Sequence, residues 1–324
     1  MKKPIITTAI LYLTLFVLYS NQVAAQILDD VHYYVTDRKA TNTFFETNFG
    51  AKQMAELPMN PLVFINFLQI NPAQTTINVS PQGPFAGIKV GDPKRWIKTL
   101  ATPSLDNPPI YGPHWACLST RNLTKSLQKL QANGVKIGTQ SLTIPTEPTA
   151  KTAVVYTPDL NILLLVERPK QSKVTEYQID HVLFLVENLA TELKFYKDVI
   201  GTTVLKQTPQ MAMIEVGRHI FIFVEPEAIG LSRAQVVKKE AGKFYPGIDH
   251  IGFLYKDLVT LNNTCDKAAA LGYEFLKKPS LMYYYDKPTP YTFGILFSPS
   301  GFQVELEIEE GGRYGARTGY LDSK

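Results

Sequence analysis

Apolar positions in this chain follow two rhythms. Runs such as VLFLV (182–186), IGFLY (251–255) and WACLS (115–119) are short and nearly unbroken, as in strands buried on both faces. Leu193, Tyr196, Val199 and Ile200 recur instead at three- and four-residue intervals, the buried stripe of a helix, and Gly201 fits its C-terminal stop. The two best-defined strands open alike: Ile179-Asp180-His181 leads into VLFLV and Ile248-Asp249-His250 into IGFLY.

That likeness extends along the chain. VTDRKATNTFFETNFG (35–50) lies ungapped on VENLATELKFYKDVIG (186–201), pairing Phe44 with Phe195 and Gly50 with Gly201. TPDLNILLLVE (157–167) lies on SPSGFQVELEI (298–308), and His114 before its strand and helix parallels His250 before its own. Such repetition predicts a modular fold. Four units of strand, helix and three further strands begin near residues 28, 110, 177 and 246, which makes the fold class α+β. Residues 26–168 are expected to hold one pair of modules and residues 177–310 the other. Residues 169–176, polar in KQSKVTE, link them, and residues 311–324 form a tail.

The first 25 residues have a different character. Lys2 and Lys3 precede an apolar run from Ile5 to about Tyr19, and Val23-Ala24-Ala25 suits cleavage before Gln26. The run is shorter than the ~20 residues that span a bilayer, so residues 1–25 read as a signal peptide and the protein as secreted or periplasmic, with no membrane association after cleavage. Removing Lys2 and Lys3 lowers the net charge from +4 to +2, which argues against a nucleic-acid partner. Export permits disulfides, but the two cysteines, Cys117 and Cys265, lie in different units and nothing in their spacing supports a pair.

Candidate chemistry follows from the repeat. Two imidazoles and one carboxylate make a facial triad for a divalent metal, and His181, His250 and Glu305 supply them from strands of the last two modules. Strand alternation puts His181 on the face of Leu183 and Leu185, and Asp180 and Asp249 on the opposite face. In register with these ligands the N-terminal half has Asp30, His114 and Leu164, a poor donor set, and His32 reads as a partly exposed strand histidine. That half is expected to be structural.

With these residues in place, the chain resembles the vicinal oxygen chelate superfamily of glyoxalases, bleomycin resistance proteins and extradiol dioxygenases. The resemblance implies βαβββ modules paired into two half-barrel cups, with metal ligands from first and last strands, and four modules resemble the extradiol enzymes. It assigns His181, His250 and Glu305 as metal ligands for Fe(II) or Mn(II), with Zn(II) as another option. His219, in Gly217-Arg218-His219-Ile220, resembles a catalytic acid/base histidine, and Tyr285 and Tyr291 are candidate substrate-binding residues. One departure stands out: Ile295, three residues before Ser298, occupies the family's tyrosine position, and no histidine follows His250. The implied activity is extradiol-type dioxygenation of an aromatic or enediol-like small molecule. The alternatives are a glyoxalase-like lyase or isomerase, and a binding protein without catalysis.

Overall fold

A computed structural model describes residues 27–60, 63–69, 76–81, 108–138, 142–170, 176–217, 219–238, 246–284 and 287–309. The leader (1–25) and the tail (311–324) lie outside these residues. The first module comprises β1 (Ile27–Val35), α1 (Arg38–Phe49), β2 (Lys52–Asn60), β3 (Val63–Gln69) and β4 (Thr76–Pro81). The second has β5 (Gly112–Thr120), α2 (Leu123–Ala132), β6 (Thr152–Tyr156) and β7 (Ile162–Glu167). A single antiparallel bridge between Ile137 and Val155 stands where its remaining strand would lie. The third runs β8 (Tyr177–Leu185), α3 (Leu189–Phe195), β9 (Thr203–Gln207), β10 (Met211–Val216) and β11 (His219–Val224). The fourth runs β12 (Gly247–Leu254), α4 (Leu258–Ala270), β13 (Phe275–Tyr284), β14 (Lys287–Phe297) and β15 (Gln303–Glu309).

Each helix begins the same way. Asp37, Asn122, Asn188 and Asp257 are N-caps whose side-chain oxygens accept from the backbone N–H three residues on, at 2.7 to 2.9 Å. Each satisfies a donor that the first turn leaves unpaired, a contribution of about 1 kcal/mol. The stops expected at Gly50 and Gly201 are present, with φ of 68° and 81°. Only glycine adopts that left-handed conformation without a Cβ penalty. Before Gly201 the third module's helix widens into a π turn over Tyr196–Ile200.

The modules do not pair as consecutive halves. One sheet has the order β13-β14-β15-β12-β1-β4-β3-β2 and the other β6-β7-β5-β8-β11-β10-β9. The first module therefore joins the fourth, through antiparallel β1 and β12, and the second joins the third, through antiparallel β5 and β8. The expected division into N-terminal and C-terminal module pairs is corrected by this topology. The β1–β12 join sets His32 opposite His250, and the β5–β8 join sets Cys117 opposite His181. The outermost strands of the eight-stranded sheet, β2 and β13, also come into contact, so that sheet curls.

One core serves both sheets. Val31, Tyr33, Ile251, Phe253, Val304 and Leu306 of the first sheet share a cluster with Leu118, Leu165, Val182, Phe184, Phe221 and Phe223 of the second, and with helix residues Phe45, Phe195 and Leu261. Phe184 packs on Phe302 with ring centroids 5.3 Å apart, Phe49 meets Tyr177 at 5.0 Å and Tyr196 meets Phe253 at 6.3 Å. A polar tie reinforces the join. Glu192 of α3, fully buried, accepts from the backbone N–H of Ser300 at 3.0 Å and from its hydroxyl at 2.7 Å. Cys117 and Cys265 are both free and buried. Among the described residues, no helix is long and apolar enough to cross a membrane.

Candidate metal centre

Strand alternation divides β1 cleanly. Val31, Tyr33 and Val35 point into the core, so Asp30, His32 and Tyr34 share the other face. His32 is the direct cross-strand partner of His250 on β12, and their ring centroids lie 4.3 Å apart. Beyond β12, Glu305 of β15 stands opposite Gly252, which puts no side chain between it and His250. Glu305 Oε2 comes within 2.9 Å of His250 Nε2, an ion-pair contact. Asp30 Oδ2 lies 3.7 Å from His32 Nδ1, and donor atoms of Asp30, His32 and His250 fall within 4.8 Å of one another.

A β-bulge completes the arrangement. Between His32 and Tyr33 the β12 partner jumps from His250 to Ile248, leaving Asp249 as an extra residue. A bulged residue is released from strict alternation. Asp249, expected on the opposite face, instead accepts from His250 Nδ1 at 3.0 Å, which orients the ring with Nε2 towards Glu305. The same device recurs on β8. Asp180 is the bulged residue between the partners of Cys117 and Leu118, and it accepts from His181 Nδ1 at 2.9 Å. The repeated Ile-Asp-His is thus a bulge motif that fixes a histidine tautomer.

Charge at the site is distributed unequally. Burial would lower the pKa of His250, but Asp249 and Glu305 overcome it and raise the imidazole to about 10. Burial and the charge of His250 lower that of His32, outweighing Asp30 and Glu305. Two sequence-silent residues complete the surroundings. Tyr34 packs edge-on to His32 at 5.4 Å, and burial, with the charges of Asp249 and Glu305, holds its hydroxyl well above the usual range. Lys277 of β13 pairs with Ile295, which in turn pairs with Glu305, so the three share a face. Its ammonium sits 3.2 Å from the Phe293 ring centroid, and burial lowers its pKa to about 8 against the pull of Glu305.

Of the triad expected from sequence, the structure brings His250 and Glu305 together and places His181 elsewhere. His181 lies in the second sheet, opposite Cys117, because β8 pairs with β5 and not with β12. His32, expected to be partly exposed, is 4% exposed and lies beside His250. His219 opens β11, also in the second sheet, beside Ile220, the partner of His181, so it cannot serve the His250 site. Tyr285 lies outside the described residues; Tyr291 stands opposite Glu309 on β14, and its side chain is likewise outside them. The clue to His32 in the sequence was the period-two series Asp30, His32, Tyr34.

The equivalent face of the second sheet is closed. Trp115, Cys117, Leu164, Leu183, Ile222 and Val224 fill an apolar cluster covered by Ile144 and Val236. Leu164, noted as a poor donor from sequence, is part of it, and His114 is half-buried beside Trp115, where desolvation lowers its pKa to about 4.

Residues 178–306 match the family model of the Glyoxalase/Bleomycin resistance protein/Dioxygenase superfamily. No curated protein sequence matches the chain. Glyoxalase I from Zea mays is similar in structure, with a TM-score of 0.63 and 15% identity over 92% of this chain and 95% of that one. A candidate dioxygenase from Bacillus subtilis has a TM-score of 0.61 and 11% identity, covering 90% of this chain and 87% of that one. These likenesses show the fold. The matched segment spans the third and fourth modules, which are consecutive in the chain but lie in different sheets.

Proposed function

We propose that this chain, whose third and fourth modules match the Glyoxalase/Bleomycin resistance protein/Dioxygenase superfamily, is an enzyme that holds one divalent metal through His32, His250 and Glu305. The observation that carries the reading is the close approach of His250 Nε2 and Glu305 Oε2, 2.9 Å apart, beside a second imidazole whose ring centroid lies 4.3 Å from that of His250. Two imidazoles and one carboxylate suit Fe(II) or Mn(II), and also Zn(II). When bound, the ion supplies Lewis acidity and open positions at which a small molecule chelates through two neighbouring oxygens. Asp249 keeps His250 in its ligating tautomer, and the core beneath β1 and β12 holds the strands rigid. Tyr34 and Lys277 line the same face and are the groups placed to hold an anionic oxygen or move a proton there.

The reaction we assign is extradiol-type dioxygenation of an aromatic or enediol-like molecule, because the donor set is the two-histidine, one-carboxylate set of oxygen-activating sites. Asp30 favours a second reading: as a fourth donor it would suit a glyoxalase-like lyase or isomerase, which consumes no oxygen. Anaerobic loading with Fe(II), Mn(II) or Zn(II), followed by oxygen uptake over a panel of catechols and enediols, tests both. Uptake that depends on His32 and His250 supports the oxygenase. Anaerobic isomerisation of 2-oxoaldehyde adducts without uptake supports the lyase, and tight binding with no turnover of either class refutes both. The leader motif supports export with cleavage before Gln26. An N-terminal sequence of the processed protein beginning elsewhere overturns that assignment.

A further inference from the structure

Cys117 and His181 stand in the second sheet as His32 and His250 stand in the first. Both pairs are direct cross-strand partners where two modules join, and each C-terminal histidine is oriented by a bulged aspartate. In the second sheet the aspartate is itself clamped. Arg168 donates to both oxygens of Asp180 at 3.0 Å, and the same guanidinium donates to Glu147. With Arg168 donating to both of its oxygens, Asp180 is the acceptor in its contact with His181 Nδ1, which leaves Nε2 as the ring nitrogen for a ligand bond. His181 is 2% exposed, and its Nε2 has no hydrogen-bond partner in the structure. Leaving such a buried polar atom unmet is destabilising. The donor atoms of Cys117, Asp180 and His181 lie within 4.8 Å of one another.

From this geometry we propose that Cys117 and His181 form a second metal site, suited to copper(I). The surroundings select for charge. Trp115, Leu164, Leu183 and Ile222 enclose the pair in an apolar cluster, where uncompensated charge is expensive. The charge of Asp180 is already matched by Arg168, so a thiolate, a neutral imidazole and Cu(I) sum to zero, whereas a divalent ion leaves a net positive charge. Thiolate sulfur selects soft Cu(I), and two donors satisfy its linear coordination. Binding exchanges ions without transferring electrons: Cys117 releases its thiol proton to solvent, and copper bonds to Sγ and to Nε2 of His181. The site shares no ligand with that of His32, His250 and Glu305, so either stands or falls without the other.

Because the site is closed in the folded chain, the full-length protein is unfolded with reductant and refolded under argon with stoichiometric Cu(I). It is then challenged with a chromogenic Cu(I) chelator and examined by copper X-ray absorption. One chelator-resistant copper per chain, with one sulfur and one nitrogen neighbour, is the expected result. Cys117→Ser and His181→Ala lose it, while His250→Ala and Cys265→Ser keep it. Circular dichroism and cooperative urea melts report whether each variant has folded, and Cys117→Ala replaces Cys117→Ser if the serine is not accommodated. Absence of retained copper in the wild-type protein, coordination lacking sulfur, or retention by folded Cys117 variants overturns the proposal.

Discussion

His32 and His250 come from opposite ends of the chain and face one another as direct cross-strand partners, ring centroids 4.3 Å apart. That single pairing makes the proposed metal centre a property of the first and fourth modules together. Substitution distinguishes it from a site built on the last two modules. His32→Ala and His250→Ala each reduce bound Mn(II) from one equivalent to a trace in equilibrium dialysis, while His181→Ala leaves it unchanged. Loss of Mn(II) in His181→Ala with retention in His32→Ala would reverse the assignment.

Asp249 touches the site only through His250 Nδ1. Removing such an outer partner typically weakens metal affinity by about 10- to 100-fold. Asp249→Asn is expected to fall in that range by Mn(II) titration with an unchanged stoichiometry. An unchanged affinity would show that the bulge does not orient the ligand.

Metal binding also has a defined pH dependence. With no metal bound, His250 keeps its proton up to about pH 10, because Asp249 and Glu305 outweigh burial. The ion must displace that proton, so apparent affinity rises by about tenfold per pH unit through the neutral range and levels off near the raised pKa. Calorimetry in buffers of different ionisation enthalpy checks it through the release of one proton per metal bound.

Glu192 gives stability the opposite slope from that of most carboxylates. Burial, opposed in part by its hydrogen bonds from Ser300, raises its pKa from 4.5 to about 7. The folded state therefore binds the proton more tightly than the unfolded chain. This contribution is fully present below pH 4.5 and is lost as pH rises through 7, by about 3 kcal/mol in all. Glu192→Gln, which mimics the protonated form, should flatten that part of the profile in urea melts between pH 5 and 8. A wild-type profile whose slope survives the substitution would assign it to other groups.

The shared core makes a prediction about cooperativity. Phe184 of the second sheet touches Phe221, Phe223 and Phe302, the last at the β14–β15 turn of the first sheet. Phe184→Ala should cost about 3–5 kcal/mol and lower the melting temperature of both sheets in one transition. Two separate calorimetric transitions would show that the sheets unfold independently.

Much of this was legible along the chain, because it rests on local rules. Four modules followed from repeated sequence, the helix ends from Gly50 and Gly201 and the spacing of Leu193, Tyr196 and Val199, and the strand faces from alternation. His250 and Glu305 stood out as donors for the same reason. Which first strands would join was not local information. Any of β1, β5, β8 and β12 has the hydrogen-bonding pattern to pair with any other, and only the packing of complete faces chose β1 with β12 and β5 with β8. That choice put His32 in the position expected of His181 and gave His181 a cysteine for a partner. The bulges were equally invisible, since an extra residue in a strand exists only relative to the strand beside it. Sequence determined the modules and the donor types, while tertiary pairing, a contest between distant faces for burial and charge compensation, decided which donors meet.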